Sequence, residues 1–201
     1  SHGVPDWYIW SCKKIKYMFP KAHAAAYVMM GWRVAWFKVH KPLAYYAAYF
    51  GIRASAFSYE IMCRGKERLD IALSDLLKTP KDQQTKKDQD TIRDGRIAQE
   101  MYARGFTFMP IDIYKAKARE CQIIDGKIMP PLSSVEGLGD KACEQVEEAA
   151  KHGPFTSLEN FRNQAKVSKT NVDKMVELGI LTGLPETDQL TFDFFMTQGS
   201  A

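Results

Sequence analysis

Apolar side chains recur at three- and four-residue intervals along most of this chain, which is the spacing of helices with one buried face. From Pro5 to about Tyr17 the pattern predicts a helix that buries Trp7, Tyr8 and Ile15 and leaves Lys13, Lys14 and Lys16 in water. Pro20 suits the first turn of a second helix running to about His40, because its missing N–H costs nothing there. On that helix His23 and Tyr27 stand four apart on one face, the alanines beside them leave a low surface, and Val28 belongs to the packed side. Pro42 breaks the pattern and starts a third helix through Tyr45, Tyr46, Tyr49 and Phe50, with Gly51 as its stop. Residues 66–78 predict an amphipathic helix with Leu69, Ala72, Leu73, Leu76 and Leu77 on one side. The polar stretch Thr79 to Asp90 is a surface connection or a solvated helix start, and Ile92 to Arg104 predicts another helix ended by Gly105.

The second half changes character. Phe106 to Pro110 reads as extended, and Asp112 caps a short helix through Ala118. Asp125-Gly126, between Gln122-Ile123-Ile124 and Lys127-Ile128-Met129, predicts a two-residue β-hairpin, because these residues tolerate the positive φ angles of a type I′ turn. Pro130-Pro131 closes that hairpin, and a domain boundary is expected near residue 119. Val135-Glu136-Gly137-Leu138-Gly139-Asp140-Lys141-Ala142 then has the apolar-x-Gly-apolar-Gly form of a helix-hairpin-helix. Its glycines let the backbone turn tightly and approach a phosphate, whose oxygens accept N–H groups at the start of the next helix, while Lys141 adds charge. Thr156 or Ser157 caps the following helix, and Val167-Ser168-Lys169-Thr170 opens the last one, repeating the arrangement without the glycines. The fold class is therefore mainly α: a helical region over 1–118, and a short β-hairpin with a tandem helix-hairpin-helix over 119–182. A polar tail follows over 183–201, interrupted by Gln189, Leu190, Phe192 and Phe194, the form of a short peptide that docks into a partner's groove.

Charge sharpens this picture. The net charge is +4 over 201 residues, yet residues 1–68 carry 11 Lys and Arg against 3 Asp and Glu, so the first third is where a polyanion would bind. Cys12, Cys63, Cys121 and Cys143 are scattered with no C-x-x-C pair, which signals neither a zinc site nor a disulfide framework and fits reduced thiols in the cytoplasm. The apolar run Ala22 to Phe37 is interrupted by Arg33 and falls short of the ~20 residues a membrane span needs, so a soluble protein with no membrane partner is expected. Asp88 and Asp90 lie in a polar run as solvated charge, and no metal site is expected. Ser1-His2-Gly3 lacks a starting Met and reads as a tag remnant on a piece of a longer polypeptide.

The wording Val4-Pro5-Asp6-Trp7-Tyr8-Ile9, Lys13-Lys14-Ile15-Lys16-Tyr17-Met18 and Phe19 to Val28 closely resembles the fingers of the PolC-type bacterial DNA polymerase III alpha subunit. The likeness continues through Phe37 to His40, Tyr45-Tyr46-Ala47, Ile52 to Ser55, Pro130-Pro131 and Gly137-Leu138-Gly139. The resemblance implies the fingers and duplex-binding part of a replicative nucleotidyltransferase. Its palm and thumb would be supplied elsewhere, and its catalytic aspartates with their Mg2+ would lie in the palm. No catalytic residue, metal or cofactor is then expected in this stretch, which alone would be inactive. By the same resemblance Lys21, His23 and Tyr27 face the nascent base pair, and Lys13, Lys14 and Arg53 supply charge near the incoming dNTP or the primer-template DNA. Gly137, Leu138, Gly139, Lys141, Ser168, Lys169 and Thr170 would meet duplex phosphates. Gln189 and Leu190 open a sliding-clamp-binding peptide in which Phe192 and Phe194 replace the family's Leu-Phe pair. A stand-alone, non-catalytic helix-hairpin-helix DNA-binding module is the alternative reading, and a protein-interaction domain with an acidic partner is a third.

Overall fold

Helices occupy most of the positions that the apolar spacing indicates; one expected helix is absent, one starts earlier than Ile92, and two bury nothing. The computed structural model describes residues 2–15 and 21–188. They divide into two contact-dense units, Ser1–Pro42 and Leu43–Ala201.

The first unit holds helices α1 (Asp6–Lys14) and α2 (Lys21–His40). Neither buries a side chain. Trp7, Tyr8 and Ile15, expected inward, are exposed, and so is Val28, expected on the packed side. The reason is geometric: Val28, Met29, Met30, Trp32, Val34, Trp36, Phe37 and Val39 are spread around α2 at 100° per residue, so they form no single stripe that one neighbour could cover. Pro20, Lys16 and Tyr17 lie outside the described residues.

The second unit begins with α3 (Pro42–Ala48), which Pro42 opens as expected, and continues without a stop into a π-helical turn, Tyr49–Arg53. Gly51 sits inside that turn, because a Cβ there would come within 3.4 Å of the Cys121 backbone nitrogen; it marks a close backbone approach, not a helix end. A second π-helical turn, Tyr59–Cys63, leads into α4 (Lys66–Lys78), where Leu69 and Leu73 are buried. Helix α5 spans Lys86–Ala103 and starts six residues before Ile92, because Thr85 and Asp88 form a reciprocal capping box that anchors its first turn. Asp88 is therefore a cap. Gly95 permits close packing of α5 on α4, since a Cβ there would stand 2.8 Å from Leu73 Cδ2.

The helix expected over 112–118 does not form. Asp112 Oδ1 accepts from Tyr114 N, an Asx turn that competes with helix, and the Lys117 and Ala118 carbonyls accept from Leu132 N and Ser133 N. Strands β1 (Gln122–Ile124) and β2 (Lys127–Met129) pair antiparallel across Asp125 and Gly126, both at positive φ as the turn requires. Phe108 bridges to Ile128, so the 106–110 stretch extends this small sheet. A 3-10 turn, Leu132–Ser134, precedes α6 (Asp140–Ala150), α7 (Leu158–Ala165) and α8 (Lys169–Glu177).

One cluster of buried side chains runs from Tyr46 through Met101, Ile128 and Leu132 to Phe161 and Met175. The boundary expected near residue 119 is thus crossed by shared core and by the bonds from Leu132 N and Ser133 N. Lys174 Nζ, 3.0 Å from Glu60 Oε2, ties α8 to the second π-helical turn. Among the described residues no helix is long and apolar enough to cross a membrane.

Candidate nucleic-acid interface

The segment between Val135 and α6 is a tight hairpin. Gly137 has φ +88°, a conformation that only glycine adopts without strain, and Leu138 turns inward and is buried. Gly139 is different: its φ of −68° and ψ of 158° suit any residue, and a Cβ built on it meets nothing within 4 Å. Neither conformation nor internal packing asks for glycine there. What the missing side chain leaves open is the approach to the first turn of α6, which has no side-chain cap. Backbone N–H groups at an uncapped helix start are donors suited to an anion.

The hairpin is pinned from behind. The Cys143 thiol donates to the Leu138 carbonyl at 3.6 Å, and burial pushes that thiol up to about 11, so it stays protonated. Glu136 pairs with Lys87 at the start of α5, which holds the Glu136 carboxyl below its usual range. Arg119 Nη2 lies 3.3 Å from Asp140 and 3.0 Å from Glu144, balancing the acids at the head of α6. Lys141 is exposed and has no acidic partner among the described residues.

The loop between α7 and α8 repeats the backbone of the first hairpin. Lys166 takes the positive-φ place of Gly137 (φ 52°, ψ 39°), Val167 is buried like Leu138, and Ser168 matches Gly139 (φ −70°, ψ 157°). The substituents change the chemistry. The Ser168 hydroxyl accepts from Asn171 N, so the first turn of α8 is already capped from within. Ser168, Lys169 and Thr170 are all exposed.

In the first unit Lys21, His23 and Tyr27 occupy the start of α2, and the His23 and Tyr27 rings lie 4.5 Å apart, so the expected shared face exists. Tyr27 is 68% exposed. Lys13 and Lys14 end α1, where Lys14 Nζ sits 3.6 Å over the Trp10 ring. Arg53 closes the first π-helical turn of the second unit and is exposed. Gln189, Leu190, Phe192 and Phe194 lie outside the described residues. Among the described residues no three His, Cys, Asp or Glu side chains gather as a metal site.

A family model described as a helix-hairpin-helix motif matches residues 105–189, which contain both hairpins. Over 191 residues the chain is 43% identical to the DNA polymerase III PolC-type of Caldanaerobacter subterraneus subsp. tengcongensis, covering 95% of this chain. Over 198 residues it is 46% identical to the DNA polymerase III PolC-type of Streptococcus pyogenes serotype M5, covering 97%. The chain belongs to the PolC-type DNA polymerase III family. It spans 14% of the length of these PolC relatives.

Two features of this PolC-family chain escape a reading of its sequence. Asp94 is wholly buried. Its Oδ1 accepts from Tyr49 Oη at 2.8 Å and Arg93 Nε at 3.0 Å, and its Oδ2 accepts from the Ser55 and Ala56 backbones, both at 2.9 Å. It thereby fixes the loop that follows Arg53. The available signal was its place on the α5 stripe of Thr91, Ala98 and Met101, where a charge demands partners. Glu147 is the second. It accepts from Ala118 N at 2.6 Å and Lys117 Nζ at 3.1 Å, joining α6 to the irregular segment. No local pattern announces that pairing.

Proposed function

We propose that this chain is the part of a replicative DNA polymerase that grips duplex primer-template DNA and faces the incoming nucleotide. The observation that carries the reading is Gly139, a glycine that the fold itself does not need, at the uncapped head of α6 in a PolC-family chain. The N–H groups behind Gly137, Leu138 and Gly139, with Lys141, would hold one strand's phosphate. The second hairpin would contact the backbone through Ser168, Lys169 and Thr170. Such contacts position the duplex and carry little sequence information.

In the first unit Lys21, His23 and Tyr27 would meet the nascent base pair, with Tyr27 and His23 offering flat faces and Lys13 and Lys14 offering charge to the triphosphate or template; Arg53, in the second unit, would be a separate source of such charge. Palm and thumb domains would share the exposed apolar surface of α1 and α2. Residues 189–194 would engage the sliding clamp. Carboxylates elsewhere in the parent would hold the Mg2+, which would supply the metal-assisted attack of a primer 3′ hydroxyl on the α-phosphate. The chain alone would incorporate no nucleotide.

Titration of the chain with mixed-sequence duplex DNA at a series of salt concentrations tests the reading. Log affinity should fall linearly with log salt, as counterion release demands. Salt-independent or absent binding sinks it and favours the protein-interaction reading. In the full polymerase Tyr27→Ala should raise the nucleotide KM more than it weakens duplex affinity; the reverse outcome removes Tyr27 from the nucleotide site.

A further inference from the structure

We infer that Lys166 is a duplex-phosphate contact, so that the second hairpin binds by side-chain charge where the first binds by backbone N–H groups. The inference rests on the proposed DNA-binding reading and adds to it a residue outside the Ser168–Thr170 set. Three observations converge on it.

The first is conformational. Among the described residues only Asp125 and Lys166 combine a side chain with positive φ, and Asp125 is accounted for by the β1–β2 turn. Lys166 sits at the left-handed C-terminal cap of α7, where Val167 N donates back to the Arg162 carbonyl. Glycine serves that position with less strain, as Gly137 does in the first hairpin. A lysine here keeps a strained backbone in exchange for a side chain at the tip of the hairpin.

The second is the loss of the alternative. The Ser168 hydroxyl caps Asn171 N, and Ser168 carries a side chain where Gly139 leaves a clear path. Backbone capture of a phosphate is correspondingly weaker at the head of α8, and a cation that reaches past the hydroxyl restores the charge. The third is the distribution of ion pairs. Among the described residues Lys151, His152 and Lys174 of this helical region are paired with acids, whereas Lys141, Lys166 and Lys169, which flank the two hairpins, and Arg162 of α7 are not. An unpaired cation is the form a phosphate-binding side chain takes before its ligand arrives.

The test compares the 201-residue chain with its Lys166→Gly and Lys166→Arg variants, titrated with a mixed-sequence DNA duplex between about 50 and 200 mM salt. Lys166→Gly keeps the backbone conformation, so its thermal midpoint guards against a folding artefact. The expected result is affinity lower by roughly fivefold at the lowest salt and a salt slope shallower by about one. Lys166→Arg should restore both. If Lys166→Gly binds with the affinity and slope of the unaltered chain, the inference is overturned and Lys166 serves only as a helix cap, whatever its midpoint does. If the unaltered chain shows no salt-dependent binding, the DNA-binding reading falls and this inference falls with it.

Discussion

Trp32 and Phe161 are both large, apolar and helical, yet Trp32 is 76% exposed and Phe161 fully buried. The contrast holds for their whole units. In residues 43–188 every helix from α3 to α8 buries part of its surface, and a single cluster links them. In α1 and α2 the same types of residue surround the helix and bury nothing. Helical spacing thus specifies a helix in both places, but burial requires a complementary surface, and among the described residues one is present only for the second unit. The hydrophobic contribution of a side chain belongs to the pair of surfaces that meet, not to the residue.

That comparison can be broken most readily at the core. Phe161→Ala should cost about 3–5 kcal/mol, read as a fall in the denaturant midpoint, because it empties a space between α7 and its neighbours. Asp94→Ala comes next, at about 3 kcal/mol by chemical denaturation, since it leaves Tyr49 Oη, two backbone N–H groups and Arg93 without their shared acceptor. A small effect there would show that the loop after Arg53 holds itself. Ser157→Ala should cost about 1 kcal/mol, because its hydroxyl caps α7 through Asn160 N. At the other extreme Trp32→Ala should stay within about 0.5 kcal/mol by the same measurement. A loss as large as that of Phe161→Ala would mean that α2 buries its apolar surface in solution, and the contrast between the units would collapse.

A pH titration sharpens the comparison. Glu147 is held below the usual carboxylate range first by Ala118 N and then by Lys117, and Glu136 by Lys87. Their folded values are depressed, so the stability they add is present above the unfolded value of about 4.3 and is lost as pH falls through the folded value. The second unit should therefore lose stability below about pH 4.5, and Glu147→Gln should flatten that acid limb. Thermal melts across this range read it directly.

Much of the architecture could be read beforehand. The bounds of α2 and α4, the Asp-Gly turn and the glycine hairpin are all set within a few residues of chain, by periodicity and φ preference, whereas the α7 cap was narrowed only to Thr156 or Ser157 and the Ser168 cap of α8 came from the structure. The start of α5 was left open between a surface connection and a solvated helix start, because a Thr85–Asp88 box in a polar run carries no apolar signal. The helix expected after Asp112 failed because its carbonyls accept from residues near 132 instead. The candidate site divides likewise. The first hairpin was legible as a motif, whereas Lys166 was hidden, since a lysine following Ala165 gives no warning of a left-handed backbone.

The sequence by itself determined the helical class, the short hairpin, the two candidate phosphate-binding loops and the family, because each depends on residue order over a short span. Only the tertiary structure decided which apolar faces are covered, that Gly139 faces open space while Gly51 faces a backbone, and that Asp94 and Glu147 are structural anchors. Those properties depend on which distant segments meet, and contact between residues 29 or more apart leaves no periodic trace in the chain.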